Sequence, residues 1–196
     1  MLIRFLLLTV CLFPAVGTLA VGLPSAFNGK DFQGWKVPAG NLWWKVDQGV
    51  LQARSDPGQK GSVLFTEQKY RDFVMQLEFK LGEGTVDSGI FIRGEHDQIQ
   101  IGESGSLKRD MTASPYIPGK GYPQEAEGVA DLLKPDGWNA MTIVAMGDTY
   151  TVWLNGKLVV SYQSDTASER GPIGIQLHPD RDMGIDFRKI RIAELD

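Results

Sequence analysis

Residues 73–80 have the sequence Phe-Val-Met-Gln-Leu-Glu-Phe-Lys, and their periodicity recurs through most of the chain. The odd-numbered residues are all apolar, whereas the even-numbered residues from Gln76 onward are polar. Successive side chains of a β-strand point to opposite faces, so this alternation predicts a strand with one buried face. An amphipathic helix would instead repeat its apolar residues every three to four positions.

Further short alternating segments follow the same rule and are separated by Gly, Asn and Asp. They lie at 89–93, 98–101, 141–146, 149–154, 157–162, 173–178 and 185–188. Asn155-Gly156 joins two of them and is a strong signal for a two-residue hairpin turn. The best helix candidate is a short segment at 126–133. Many short strands without helical crossovers predict an all-β fold of two antiparallel sheets packed face to face, with a closed barrel as the alternative.

Length and composition predict one ordinary globular domain over residues 21–196. The chain has 196 residues, of which 42% are hydrophobic and 22% are charged. This is enough for one two-layer core, and no linker or low-complexity run divides the chain. The formal net charge is −4 and the sequence has no basic stripe, so we expect no nucleic-acid partner.

The first 20 residues predict a secretory signal peptide. Arg4 precedes an apolar run over residues 5–16, and Thr18 and Ala20 suit the small-residue positions of a cleavage site. The run is short for a membrane span, although an uncleaved anchor is the alternative. The only cysteine, Cys11, lies inside this segment. We therefore expect a secreted or periplasmic protein that has no disulfide and no stable membrane insertion after the signal is removed.

The segment 103–138 interrupts the alternation with four prolines and several glycines. A long irregular segment inside a compact domain is commonly either functional or disordered. Its aromatic residues Tyr116 and Tyr122 favour an ordered flap. We expect this flap to cover a binding site, with Tyr116 as a candidate contact.

Strand parity predicts a polar face opposite the buried isoleucines. Its members are Glu78, Phe91, Arg93, Gln98, Gln100, Gln176 and His178. Planar amides and guanidinium groups offer hydrogen-bond donors and acceptors in fixed geometry, which suits sugar hydroxyls. This composition favours a carbohydrate-binding face over a merely solvated one, although parity does not assign each strand to a sheet.

Several common catalytic patterns are absent from the sequence. No Cys/His cluster has zinc spacing, and Asp87-Ser88-Gly89 lacks the surroundings of a nucleophile elbow. The pair of glutamates expected of a retaining glucanase is also missing. The sequence predicts no cofactor and no metal ligands, and it leaves a metal requirement open.

A series of short motifs extends over most of the chain, from Ala26 to Leu195. They are 27–35 (FNGKDFQGW), 47–51 (DQGVL), 70–73 (YRDF), 78–80 (EFK), 87–93 (DSGIFIR), 98–101 (QIQI), 137–139 (GWN), 153–156 (WLNG), 171–178 (GPIGIQLH) and 187–192 (FRKIRI). In this order they resemble the motifs of the 3-keto-disaccharide hydrolase domain family. The resemblance implies a concanavalin A-like jelly roll. It also implies an exported enzyme that cleaves 3-keto-glycosides.

Cleavage of a 3-keto-glycoside can proceed by removal of the C2 proton and elimination at C1. Such a route needs a base, a group that stabilises the enolate, and an acid for the leaving oxygen. We expect Arg93 to stabilise the enolate and His178, or else Glu78, to act as the base. The candidate substrate-binding residues are Gln98, Gln100, Tyr116 and Gln176. The alternatives are a non-catalytic carbohydrate-binding module and an interaction domain of a larger envelope assembly.

Overall fold

The structure, a computed structural model, describes residues 22–195, and the predicted signal peptide lies outside the described residues. In this part of the chain nearly all regular structure is β-strand. The elements are β1 (Trp35–Lys36), β2 (Trp44–Asp47), β3 (Val50–Arg54), β4 (Ser62–Tyr70), β5 (Phe73–Gly84), β6 (Asp87–Ile92), β7 (Asp97–Gly102), β8 (Pro115–Tyr116), α1 (Val129–Leu132), β9 (Asn139–Met146), β10 (Thr149–Leu154), β11 (Lys157–Gln163), β12 (Gly171–Leu177) and β13 (Met183–Glu194).

The strands form two antiparallel sheets. One sheet has six strands in the order β1-β4-β12-β6-β7-β8, and the other has seven in the order β11-β10-β9-β5-β13-β3-β2. Both sheets are open, so the predicted sandwich is confirmed and the closed barrel is wrong.

The core lies between the two sheets, as the alternation predicts. The predicted core side chains are at most 1% exposed, namely Ile90, Ile92, Ile99, Ile101, Ile143, Ile173, Ile175 and Phe187. They come from strands of both sheets and belong to one hydrophobic cluster. Burial of this apolar surface is the main stabilising contribution to the fold.

Local signals in the sequence also match the structure. The hairpin between β10 and β11 turns at Asn155 and Gly156, whose φ angles of 49° and 82° are those of a type I′ turn. The predicted short helix is present as the single turn α1. Between residues 22 and 195, no helix is long and apolar enough to span a membrane.

The irregular segment 103–138 is packed against the sandwich. Its strand β8 pairs with the edge strand β7 and so extends the six-stranded sheet. Met111, Ala113 and Ile117 are buried, and Val129 of α1 packs on the core. The first half of this segment stands beside the outer face of the six-stranded sheet, where it forms one wall of a cavity.

Candidate functional site

An open cavity of about 530 Å³ lies on the outer face of the six-stranded sheet. The strands β6, β7, β8 and β12 form its floor, and the loops at 104–108 and 178–181 form its walls. Among the predicted site residues, this cavity brings together Gln98, Gln100, Tyr116, Gln176 and His178.

Strand alternation and a glycine explain how three glutamines converge on this floor. Ile99 and Ile101 are buried in the core, so Gln98 and Gln100 must point to the opposite face. Gly89 pairs with Gln100 on one side and with Gln176 on the other. A Cβ atom at Gly89 would lie 1.9 Å from Nε2 of Gln98, so only glycine leaves room for this amide.

The three glutamines, here called the amide row, contact one another directly. Nε2 of Gln98 donates to Oε1 of Gln176 at 2.8 Å and to the Ser88 carbonyl oxygen at 3.3 Å. Nε2 of Gln100 donates to Oδ1 of Asp87 at 2.9 Å. The residues Gln98 and Gln100 are only 4% and 3% exposed, so their amides are held by the protein before any ligand binds.

A buried ion pair stands at one end of the amide row. The carboxylate of Asp87 is 4% exposed, and Nε of Arg181 lies 3.4 Å from its Oδ2. The guanidinium of Arg181 is 19% exposed and faces the cavity. This pair therefore places a positive group at the cavity without leaving the Asp87 charge unpaired.

His178 follows the end of β12 and lines the same cavity. Its Nδ1 lies 2.5 Å from the Pro179 carbonyl oxygen. A carbonyl oxygen can only accept, so this contact requires the proton to be on Nδ1. In the neutral ring, Nε2 is then the unprotonated nitrogen, which is the state a general base needs.

Two tyrosines of the irregular segment form an aromatic wall. The ring centroids of Tyr116 and Tyr122 are 5.3 Å apart and the ring planes meet at 59°. Burial raises the pKa of Tyr122 to about 12, so its phenol is protonated at neutral pH. It can therefore donate a hydrogen bond or a proton to a bound ligand.

The structure does not place Arg93 in the cavity, which corrects the sequence-based expectation. Arg93 lies beyond the opposite end of β6 from Asp87, and its φ of 57° turns the side chain inward. The guanidinium is 1% exposed and pairs with Asp72 at 3.0 Å. Its other hydrogen bonds go to backbone carbonyl oxygens of Arg71, Ala145, Gly147 and Ser168. These contacts give Arg93 a structural role at the end of the sandwich.

Glu78 is also remote from the cavity, because β5 belongs to the seven-stranded sheet. Its carboxylate accepts hydrogen bonds from Arg188 at 2.6 Å and from Lys189 at 2.7 Å. Burial alone would raise the pKa of Glu78, but these two hydrogen bonds lower it below its ordinary value. The carboxylate is thus a weaker base than expected and lies on the wrong sheet to act with His178.

The cavity contains residues that sequence reasoning missed. Asp87 has the same strand parity as Gly89 and Phe91, so parity could have placed it beside Gln100. Arg181 and Tyr122 lie outside alternating segments, where the sequence carries no positional signal. Among residues 22–195, no group of three or more His, Cys, Asp or Glu side chains is arranged to hold a metal ion.

Comparison with protein families identifies the chain. The family described as the 3-keto-α-glucoside-1,2-lyase-like domain matches residues 22–193, which is nearly all of the described chain. The chain belongs to this family. The motif resemblance found in the sequence is therefore confirmed. No curated protein matches the chain significantly.

Solved structures similar to this family member share its jelly-roll sandwich. A candidate glycosyl hydrolase from Parabacteroides distasonis ATCC 8503 has a TM-score of 0.65 at 20% identity, over 87% of this chain and 93% of that one. A second one from the same organism has a TM-score of 0.64 at 26% identity, over 88% and 84% of the two chains. The carbohydrate-binding module CBM66 from Bacillus subtilis has a TM-score of 0.56 at 17% identity, over 82% and 96%. These likenesses show the shared fold, and the family match supports a carbohydrate-related function.

Proposed function

We propose that this protein cleaves 3-keto-glycosides by elimination in the cavity on the six-stranded sheet. The observation that carries the proposal is the hydrogen bond from Nδ1 of His178 to Pro179, which leaves Nε2 able to take a proton. The family match supports a 3-keto-glycoside as the substrate.

The chemistry starts at C2, whose proton is acidic because C3 carries a keto group. Nε2 of His178 takes this proton, and the C–H electron pair forms the C2–C3 double bond of an enolate, with the negative charge on the C3 oxygen. Collapse of the enolate restores the C3 carbonyl, forms a C1–C2 double bond and breaks the bond from C1 to the glycosidic oxygen. The leaving oxygen takes a proton, and water later adds across the C1–C2 double bond.

Two other cavity residues suit the remaining roles. The guanidinium of Arg181 takes over the role that the sequence suggested for Arg93, because a fixed cation stabilises charge that develops only as the proton leaves. The protonated phenol of Tyr122 is the proposed acid for the leaving oxygen. No pair of opposed carboxylates is needed for this route, in contrast to an ordinary retaining glycosidase.

Heavy water provides the decisive experiment. The protein is incubated with a 3-keto-glucoside in deuterium oxide, and deuterium should appear at C2 of the hydrated product. His178→Gln should slow cleavage by about 10²-fold or more, since general-base catalysis contributes that much. His96→Gln is the matched control, because His96 is an exposed histidine in the turn between β6 and β7.

The outcomes of this experiment separate the candidate functions. Cleavage without deuterium at C2 contradicts elimination, and full activity of His178→Gln contradicts the role of His178. Tight binding of the sugar without any cleavage would favour the non-catalytic binding module, which shares this fold in CBM66.

Export is a second part of the proposal. The predicted signal peptide at 1–20 would deliver the protein to a secreted or periplasmic location. Intact-mass measurement of the exported protein should show removal of the segment that ends near Ala20. A mature chain that still contains Cys11 would contradict this prediction.

A further inference from the structure

A glutamine amide can be placed in two orientations that exchange its oxygen and its NH2 group. The two orientations have nearly the same shape but present opposite hydrogen-bonding groups to a ligand. For the amide row, the choice decides whether the cavity floor offers a donor or an acceptor at each position. The surroundings of the row determine that choice.

Asp87 orients the first member of the row. Its ionised carboxylate can only accept, so Gln100 must turn its NH2 group toward Oδ1 of Asp87, at 2.9 Å. Nε of Arg181 lies 3.4 Å from the second oxygen of Asp87 and forms an ion pair with it. The Oε1 atom of Gln100 is then left on the side of Gln98, 3.5 Å from Nε2 of that residue.

The orientation of the Gln100 amide influences the orientations of the Gln98 and Gln176 amides. Nε2 of Gln98 faces acceptors only, namely Oε1 of Gln100, the Ser88 carbonyl oxygen at 3.3 Å and Oε1 of Gln176 at 2.8 Å. A reversed Gln98 would turn its oxygen toward other oxygens, which is repulsive. Within residues 22–195, no protein donor contacts Oε1 of Gln98 and no protein acceptor contacts Nε2 of Gln176.

We propose that Asp87 is a positioning residue that fixes the donor and acceptor pattern of the amide row. The row then offers a ligand one acceptor, Oε1 of Gln98, and one donor group, the NH2 of Gln176. A ligand must place a hydroxyl group against Gln98 and a hydroxyl, keto or ring oxygen against Gln176. This inference rests on the proposed function only in taking a sugar as the ligand.

The orientation can be tested directly, without any ligand, by neutron diffraction from crystals soaked in deuterium oxide. In the wild-type protein, the deuterated amide group of Gln100 should point toward Asp87, and that of Gln98 should point toward Gln176. In Asp87→Asn, the amide at position 87 can donate as well as accept, so Gln100 should show a mixed or reversed orientation, and Gln98 should become less ordered although the Ser88 carbonyl oxygen still accepts from it. The opposite orientation in the wild type, or an unchanged row in Asp87→Asn, would overturn the inference.

The functional consequence is measured as binding selectivity toward an unoxidised glucose disaccharide and its monodeoxy and mono-O-methyl derivatives. In the wild type, methylation of the hydroxyl that donates to Gln98 should weaken binding roughly tenfold, the value of one hydrogen bond. In Asp87→Asn that difference should fall below about threefold. A purely structural role of Asp87 would lower the melting temperature without changing this pattern.

A matched control tests whether the loss of a different aspartate–arginine ion pair also changes the amide orientations. Asp186 pairs with Arg54 at 2.7 Å on the seven-stranded sheet, and neither residue lines the cavity. Asp186→Asn should leave the amide orientations and the selectivity unchanged, and equal changes in both variants would contradict the positioning role. Because neither measurement requires turnover, the inference can fail or hold independently of the proposed elimination.

Discussion

Two arginines of this protein show how backbone conformation decides the role of a residue. The interpretation of Arg93 as a cavity residue extended the alternation of β6 by one position. The strand ends at Ile92, and the positive φ of Arg93 reverses the direction of its side chain. Alternation predicts the direction of a side chain only where the backbone is extended. It therefore does not apply to a residue just beyond the end of a strand. Arg181 provides the cavity's guanidinium instead, from a loop that has no sequence pattern.

We predict that Arg93→Met lowers the free energy of unfolding by about 2 to 4 kcal/mol, mainly through the backbone carbonyl groups that lose their donor, because Asp72 is partly exposed. The variant leaves Asp72 and several backbone carbonyl groups without their buried donor. Urea unfolding measures the loss, and sugar affinity per folded molecule should stay the same. Arg170→Met, at an exposed arginine, is the control and should change stability little. If Arg93→Met instead lowered sugar affinity without lowering stability, Arg93 would be a binding residue and not a structural one.

A pH-dependent contribution to stability comes from Asp97. Burial alone would raise the pKa of this carboxyl, but hydrogen bonds from Ser164, His96, Thr166 and Tyr150 together lower it. A pKa that is lower in the folded state means that the carboxylate stabilises the fold at neutral pH. This contribution is lost as the pH falls below about 4 toward the folded-state pKa.

The matching experiment compares the wild type with Asp97→Asn by urea unfolding between pH 7 and pH 3. We expect the variant to be less stable by roughly 2 to 4 kcal/mol at pH 7, because charged hydrogen bonds are replaced by neutral ones. The difference should shrink at acid pH. A difference that stays constant over this range would show that Asp97 contributes nothing through its charge.

At the scale of elements, alternation predicted most strands but not which sheet each one joins. The last strand, β13, shows how much information the pattern holds. Its buried residues change from odd to even numbers between Phe187 and Ile190, and the structure has an irregularity there, with Lys189 at a φ of 52°. A change of parity within an apolar run therefore indicates a β-bulge. Glu78 was wrongly assigned to the cavity for a different reason. Outward-facing residues alternate in the same way on both sheets, so alternation does not show which sheet a residue belongs to.

The strand β6 provides a prediction at this scale. Gly89→Ala would place a Cβ atom against the amide of Gln98, which must then leave its position over the strand. We expect sugar affinity to fall at least roughly tenfold, because the amide row loses its geometry, at a stability cost of about 1 to 3 kcal/mol. Isothermal titration and urea unfolding measure the two effects. Gly58→Ala, in a surface loop, is the control, and unchanged affinity of Gly89→Ala would contradict this account of the floor.

At the scale of the whole molecule, both sheets contribute to one core. The sequence was sufficient to predict this sandwich, because the buried isoleucines recur with period two in strands of both sheets. It predicted the glutamines of the cavity floor but not Arg181 and Tyr122, which reach the cavity from irregular segments. The positions of such segments depend on packing that has no periodic signature.

We predict that Ile99→Ala and Ile143→Ala each lower the free energy of unfolding by roughly 2 to 5 kcal/mol, although they belong to different sheets. Each side chain is fully buried in the shared core. Tryptophan fluorescence and circular dichroism should follow one common transition in both variants. Two separate transitions, one for each sheet, would show that the core is not shared.

The pairing of β5 with β13 has a consequence for the speed of folding. These two strands are neighbours at the centre of the seven-stranded sheet, yet the ion pair that joins Glu78 to Arg188 spans 110 residues of sequence. The chain must close a loop of this length before its central strands can be stabilised, and such non-local topologies fold on a timescale of roughly milliseconds to seconds. During that interval the unpaired edges of both strands are open to other chains. Slow refolding, with aggregation that increases with protein concentration, is therefore the expected behaviour on dilution from urea.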